Sequence, residues 1–326
     1  MTQNPTTPQP KVNLGKSSIA VTPLGIGTWA WGDKLFWSYG KDYGADQVAA
    51  AFTATLEAGI NWFDTAEVYG IGESENLLGK FIKENNPNHQ EVLIATKYMP
   101  LPWRFAAGAV SDAITASLDR LRVDRLDLYQ VHSPFAFLMS QETLMNALAD
   151  EVQRGRIGAI GVSNYSATQM KEAYGYLAAR GVPLAVNQVN YSLLERQIES
   201  NGIWDAAQQL EVTILAYSPL AQGLVTGKYS LENYRLPEGA RRFDNRFSKE
   251  GLAKIAPVLA VLQELGRIHD RTPAQVALNW LICRGAIPIP GAKNAQQAQE
   301  NAGALGWKLT DVEVSQLDEV TKNFQK

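Results

Sequence analysis

Four side chains of different chemistry stand at the ends of short apolar runs. In IN WFDTAEVYGIGESE the run of Ile60, Trp62 and Phe63 stops at Asp64, and a phenol, Tyr69, follows five residues on. Lys97 closes LIATK and His132 closes LYQVH. Taken alone, Asp64 reads equally well as a helix cap and Tyr69 as a surface loop residue. Lys97 tips the balance, because an ammonium unpaired at the end of a buried strand is costly and Asp64 is its obvious partner. A phenol is a weak acid at neutral pH. An adjacent ammonium stabilises the phenolate, so Lys97 is expected to lower the Tyr69 pKa and ease proton donation. His132 can donate from Nε2 to a substrate oxygen, and a satisfied core histidine fits less well at that place.

The elements that must position these groups are legible as alternation. Short β-branched runs occur at residues 24–27, 60–63, 92–95, 126–131, 157–161, 184–187, 212–216 and 286–289, with amphipathic helical patterns between them. Continuous apolar strands alternating with helices imply a parallel sheet covered by helices. Eight such units suit a closed (β/α)8 TIM barrel. Residues 11–21 fit an N-terminal β-hairpin closing the barrel bottom. Helical patterns at 248–268 and 273–283 both precede the eighth strand, so one is an insertion, and a pattern at 311–324 adds a C-terminal helix. Residues 11–326 are expected to form a single barrel domain, and the polar, Pro-rich residues 1–10 a disordered tail. A barrel places its chemistry at the carboxyl ends of its strands. Those ends carry Thr28 and Trp29, Asp64, Lys97, His132, Ser163 and Asn164, Gln188, Tyr217 and Ser218, and Gly291 with Lys293.

Composition narrows the classes. A formal net charge of −3 gives no global attraction to nucleic acid or anionic lipid, so an anionic ligand must be held locally. The single Cys283 excludes an intrachain disulfide. His89, His132 and His269 lie far apart without HxxxH spacing, and no metal site is expected. No apolar run approaches membrane-spanning length and the first ten residues do not read as a signal peptide, so a cytoplasmic, membrane-free protein is expected. Gly25 and Gly27 open a formal GxGxxA, but a loop follows where a dinucleotide fingerprint needs a helix. GLVTGK lacks P-loop spacing. A better phosphate site is IPIPGAKNAQQAQEN, where Lys293 precedes a helix beginning near Asn294, with the glycines of AYSPLAQGLVTGKY alongside.

With these residues in hand, the chain resembles the aldo-keto reductase superfamily from Val21 to about Phe324, through GIGTW, FDTAEVYG with GESE, IATK, YQVH, IGVSN, NQVNYS, AYSPLAQGLVTGKY and IPIPGAKNAQQAQEN in order. The resemblance implies a barrel that binds NADPH (or NADH) across its mouth without a Rossmann fold, and a catalytic tetrad of Asp64, Tyr69, Lys97 and His132. Tyr69 would be the general acid, Lys97 with Asp64 would tune it, and His132 would orient the carbonyl. Gly27, Thr28 and Trp29 of GIGTW join the cofactor set. Ser163, Asn164 and Gln188 match carboxamide-holding positions, and Tyr217 the aromatic on which nicotinamide stacks. Ser218, Leu220, Gly223 and Lys228 match the pyrophosphate-covering segment. Gly291, Lys293, Gln297, Glu300 and Asn301 match the adenosine end. Many members carry arginine where this chain has Gln297, so NADP preference rests on Lys293. The implied reaction is hydride transfer to an aldehyde or ketone, a small-molecule carbonyl substrate. Trp29, Trp31, Phe36, Trp37, Trp103, Phe105 and Phe135 fall in mouth loops and can wall an apolar pocket. A rival reading is a nicotinamide-binding regulatory subunit similar to the potassium-channel β subunits, which carry asparagine where this chain has His132. A barrel aldolase with a Lys97 Schiff base is disfavoured, because Asp64 keeps the ammonium protonated.

Overall fold

The computed structural model describes residues 10–86, 90–135, 138–232, 234–237 and 239–325. The expected tail, apart from Pro10, and His89 lie outside the described residues. Eight parallel strands follow one another in chain order: β3 (Ile26–Gly27), β4 (Trp62–Asp64), β5 (Leu93–Tyr98), β6 (Leu126–Val131), β7 (Ile157–Ser163), β8 (Leu184–Asn190), β9 (Thr213–Tyr217) and β10 (Ile287–Pro288). The last strand returns to the first. Gly25 N donates to Pro288 O at 3.1 Å, Gly27 N donates to Pro290 O at 3.0 Å, and Gly27 bridges Gly291 in parallel. These bonds close the expected (β/α)8 barrel.

The strands are buried on both faces, as an enclosed parallel sheet requires. Inside, Trp62, Ala95, Leu128, Ala159, Ala185, Leu215 and Ile287 form one apolar cluster, and Leu14 and Val21 join it. Leu14 directly follows β1 (Val12–Asn13) and Val21 ends β2 (Ala20–Val21), an antiparallel pair that meets the start of β9 through Gly15 N and Thr213 Oγ1 at 2.8 Å. The hairpin thus plugs the amino end of the barrel and leaves the carboxyl end open.

Around the strands run α1 (Ala45–Glu57), α2 (Glu73–Glu84), α3 (Gly108–Leu121), α4 (Gln141–Gln153), α5 (Ala167–Ala178), α6 (Ile203–Leu210), α8 (Pro273–Cys283) and α9 (Ala295–Ala302), with α9 packed on α1 to complete the ring. The insertion is α7 (Lys249–His269), which packs on the outside of α8, and α10 (Asp311–Val320) packs on α7 and α8. Side chains cap several of these helices where the chain enters them. Ser140, Ser166, Ser248, Thr272 and Thr310 each accept a backbone N–H three residues on, and Pro273 occupies the first turn of α8, where its missing N–H costs nothing.

Several strands outrun their apolar stretches. β5 continues through Lys97 to Tyr98, and β8 reaches Asn190. Lys97 therefore lies within a strand rather than after it. The ladder holds because polar residues near the open end can face the cavity while their backbone groups stay paired.

Candidate active site

Asp64 is the last residue of β4, and its carboxylate is 2% exposed. Oδ1 accepts from Lys97 Nζ, while Oδ2 accepts from Gln130 Nε2 and Gln188 Nε2, each at 2.9 Å. Gln188 Nε2 also donates to Gln130 Oε1 at 3.0 Å. A buried carboxylate tolerates its charge only when paired and hydrogen-bonded, and this one is held from three strands. Gln130 was not anticipated. It stands two residues before His132 in β6 and pairs across the ladder with Lys97 on one side and Gly161 on the other. A Cβ on Gly161 would lie 2.9 Å from Gln130 Cγ and 2.4 Å from Val186 Cγ2, so glycine there makes room for the amide. A lone glutamine in an apolar strand, in period two with His132, was the signal.

Lys97 is fully buried. Besides Asp64, its ammonium donates to Thr65 O at 2.8 Å and to Tyr69 Oη at 3.4 Å. Burial opposes the charge, but Asp64 and then Tyr69 more than offset it and hold the Lys97 pKa above its ordinary value. The ammonium is therefore permanent. The Tyr69 phenol shifts the other way from the expectation. Burial raises its pKa, and the opposing pull of Lys97 is the smaller effect, so the group remains a neutral O–H donor. Tyr69 opens a 3-10 turn in which Gly70 and Ile71 adopt left-handed backbone. The turn is held from below. Glu75 accepts from Thr96 Oγ1 and Arg120 Nε, both at 2.6 Å, and Ser74 ties Thr28 and Thr65 together.

His132 follows β6, its backbone N donating to Tyr98 O at 2.8 Å. Its ring meets the Tyr69 ring edge-on, centroids 5.6 Å apart. Burial, assisted by the Lys97 charge, pushes the imidazole pKa down to about 3. At neutral pH the ring is uncharged. Nδ1 is buried without a hydrogen-bond partner among the described residues, so no neighbouring group there fixes the tautomer of the ring.

Asp64, Tyr69 and His132 border a cavity of about 830 Å³ that runs to the amino end of α9. Gly27, Trp29, Ser163, Asn164, Gln188, Tyr217, Ser218, Leu220, Gly223, Lys228, Gly291, Lys293, Gln297, Glu300 and Asn301 also line it, and Lys97 lies just beneath. Thr28 does not. Its side chain is buried, with the hydroxyl taken up by Ser74 and Asp64 O. Near the tetrad a polar string crosses three strand ends: Tyr217 Oη donates to Asn164 Oδ1 at 3.0 Å, Asn164 Nδ2 donates to Ser163 Oγ at 3.1 Å, and Ser163 Oγ donates to Gln188 O at 2.9 Å. Asn164, Ser218, Ala221 and Gln222 all have positive φ, a concentration of costly backbone at the cavity edge.

At the far end Asn294 caps α9 through Gln297 N, Gln297 Oε1 accepts from Lys293 N at 2.8 Å, and Asn301 Nδ2 donates to Gly291 O at 3.2 Å. The Lys293 ammonium rests over the rings of Trp37 and Tyr43, 4.7 and 4.4 Å from their centroids. Sequence reasoning missed Arg241, which lines the cavity from a 3-10 turn over the mouth, 5.4 Å from the Trp37 ring, with a buried Nε that has no partner among the described residues. Cationic side chains and an orphaned guanidinium nitrogen fit an anionic group at this end. Of the aromatic residues expected to wall a pocket, Trp29 and Trp37 line the cavity and Phe36 stacks on Trp29 at 4.8 Å. Trp31 does not: it is core, with Nε1 donating to Ala292 O at 2.8 Å.

The aldo/keto reductase family profile matches residues 23–322. The chain belongs to the aldo/keto reductase family. Members of this family are oxidoreductases acting on carbonyl compounds. Among its relatives is the chloroplastic pyridoxal reductase of Arabidopsis thaliana, 42% identical over 98% of this chain and 88% of the relative. The L-glyceraldehyde 3-phosphate reductase of Escherichia coli O157:H7 is 29% identical over 94% of this chain and 90% of its own length. Among solved structures, the glycerol dehydrogenase AKR11B4 of Gluconobacter oxydans superposes with a TM-score of 0.83 at 28% identity, covering 96% of this chain and 95% of the other. Family membership accounts for the barrel, and the family generally uses a nicotinamide cofactor. Among the described residues no helix is long and apolar enough to cross a membrane.

Proposed function

We propose that the protein reduces an aldehyde to the alcohol with NADPH, Tyr69 giving the proton. The observation that carries this reading is the contact of the Tyr69 hydroxyl with the Lys97 ammonium, itself anchored by Asp64, on the wall of a cavity of about 830 Å³. When bound, the nicotinamide supplies a hydride to the carbonyl carbon. The residues of the chain do the rest. Tyr69 enters neutral and keeps its proton until the carbonyl oxygen acquires alkoxide character, which is far more basic than a phenolate. The proton then passes from Oη to that oxygen. Lys97 stabilises the phenolate left behind, an effect present only once charge has developed, which is the kind that accelerates a reaction. His132 Nε2 donates to the same oxygen and fixes its direction.

Ser163, Asn164 and Gln188 supply the donors and acceptors a carboxamide needs, and the flat face of Tyr217 suits a nicotinamide ring. Gly223 leaves space for a pyrophosphate, where Lys228 and Arg241 supply charge. Lys293 stands where it can meet a 2′-phosphate, and it supports NADPH over NADH. The pyridoxal activity of the plant relative, together with the aromatic pair Trp29 and Phe36 beside Tyr69, makes pyridoxal the first substrate to try. Absorbance at the nicotinamide band, followed with pyridoxal and a panel of aldehydes, should fall faster with NADPH than with NADH. No oxidation across the panel would contradict the proposal.

A further inference from the structure

Asp64, Gln130 and Gln188 come from β4, β6 and β8, alternate strands of the barrel, and their polar ends meet in an interior that such strands ordinarily fill with branched apolar side chains. Gln130 is fully buried and Gln188 is 2% exposed. Gln188 borders the cavity, whereas Gln130 does not. Any influence of Gln130 on a ligand therefore passes through its neighbours.

The direction of each amide follows from the carboxylate. Asp64, ion-paired with Lys97, only accepts, so both glutamines turn Nε2 to Oδ2, each at 2.9 Å. Gln130 Oε1 is thereby aimed at Gln188 and takes the other N–H of that amide at 3.0 Å. Both donors of Gln188 are then spent, and only its Oε1 is left for the cavity. A flipped Gln188 would set its oxygen against two acceptors, the carboxylate and Gln130 Oε1, in a buried place where such a mismatch is costly. The path between the two glutamines crosses β7 at Gly161, the residue in register with Gln130, where an added Cβ would lie 2.9 Å from Gln130 Cγ.

We propose that Gln130 is a positioning residue, which locks the amide of Gln188 so that the cavity meets a carbonyl oxygen there and never an N–H. The proposal rests on the reductase reading above, in which Gln188 faces the nicotinamide carboxamide. A locked acceptor selects the carboxamide NH2, which is a donor, and rejects a group of similar shape that has none. Turnover is a poor reader of this role, because Gln130 also holds Asp64. The ratio of two nucleotide affinities reads it directly.

The test measures quenching of tryptophan fluorescence by NADP+ and by 3-acetylpyridine adenine dinucleotide phosphate, which carries a methyl group in place of the amide NH2. Wild type should bind NADP+ about tenfold more tightly than the analogue, since the analogue leaves Gln188 Oε1 facing a methyl group. Gln130→Met keeps a similar volume but frees one N–H of Gln188 to turn to the cavity, and the ratio should fall to about threefold. Gln130→Asn keeps an amide one methylene short and should fall between the two. It also carries the test if the methionine variant fails to fold. In Gln188→Leu the ratio should approach one, and adding Gln130→Met should change it no further. A purely structural role would instead lower both affinities together and leave the ratio at its wild-type value. An unchanged ratio in Gln130→Met, equal affinities in the wild type, or a further change on adding Gln130→Met to Gln188→Leu overturns the proposal and leaves the reductase reading standing. A wild type that binds neither nucleotide overturns both.

Discussion

At the scale of single residues, the site is a case of environment reversing a simple pairwise expectation. A lysine beside a tyrosine suggests an acidified phenol, but desolvation outweighs the attraction and the phenol pKa rises. This changes the expected pH dependence. Tyr69 is needed protonated, and because its pKa is raised above the ordinary 10, the proton is not lost anywhere below that pH. His132 is needed neutral, and with a pKa of about 3 it is neutral throughout the range in which activity can be assayed. The carbonyl-reduction rate is therefore expected to be flat from about pH 5 to 9. An acid limb near pH 6 to 7 in kcat/KM would show imidazole titrating where burial forbids it. The other residue-level surprise, Gln130, was hidden because a polar side chain inside a buried strand looks like an interruption until its ladder partners are known. Thr28 misled for the opposite reason: it adjoins a site residue in sequence but turns its hydroxyl to Ser74.

At the scale of elements, the order of strands and helices was readable because β/α alternation repeats at nearly regular intervals, and even the surplus helix before the eighth strand was evident. Which of the two was surplus was not, since both are amphipathic and only packing puts α7 outside α8. Closure was equally invisible, because the seam between β3 and β10 is made by short backbone contacts rather than by an apolar pattern. Gly27 shows how tight it is, since an added Cβ would lie 2.9 Å from Ile289 O. Gly27→Ala should wedge the seam and lower stability by about 1 to 3 kcal/mol, read as a reduced urea midpoint at constant m. An unchanged midpoint would mean that the seam relaxes freely. At the other end of the cavity, α9 and its leading turn bring Lys293 to the proposed 2′-phosphate position. Lys293→Ala should weaken NADPH by about 1.5 to 3 kcal/mol, the range for a charged hydrogen bond, with a much smaller effect on NADH. Equal losses in fluorescence titrations would show that Lys293 does not distinguish the two cofactors.

At the scale of the molecule, the hairpin plug, the backbone seam and the helix ring leave one open end, and the side chains that can do chemistry meet there from most of the eight strands. Strand-end chemistry was legible in the sequence because each such residue breaks an apolar run at the same phase of the repeat. The aromatic lining was less so, because a mouth loop can turn a ring inward as readily as toward the cavity, as Trp31 does. With a net charge of −3, the whole chain offers a dinucleotide no general attraction, which places the burden on the local cations Lys228, Arg241 and Lys293. The central claim is that this open end is a reductase centre with Tyr69 as its proton donor. Stopped-flow oxidation of enzyme-bound NADPH by an aromatic aldehyde isolates that step from cofactor release. Tyr69→Phe should slow it about 10²- to 10⁴-fold while NADPH affinity barely changes, since the ring stays and only the donor is lost. A variant that oxidises bound NADPH as fast as the wild type would remove Tyr69 from the mechanism.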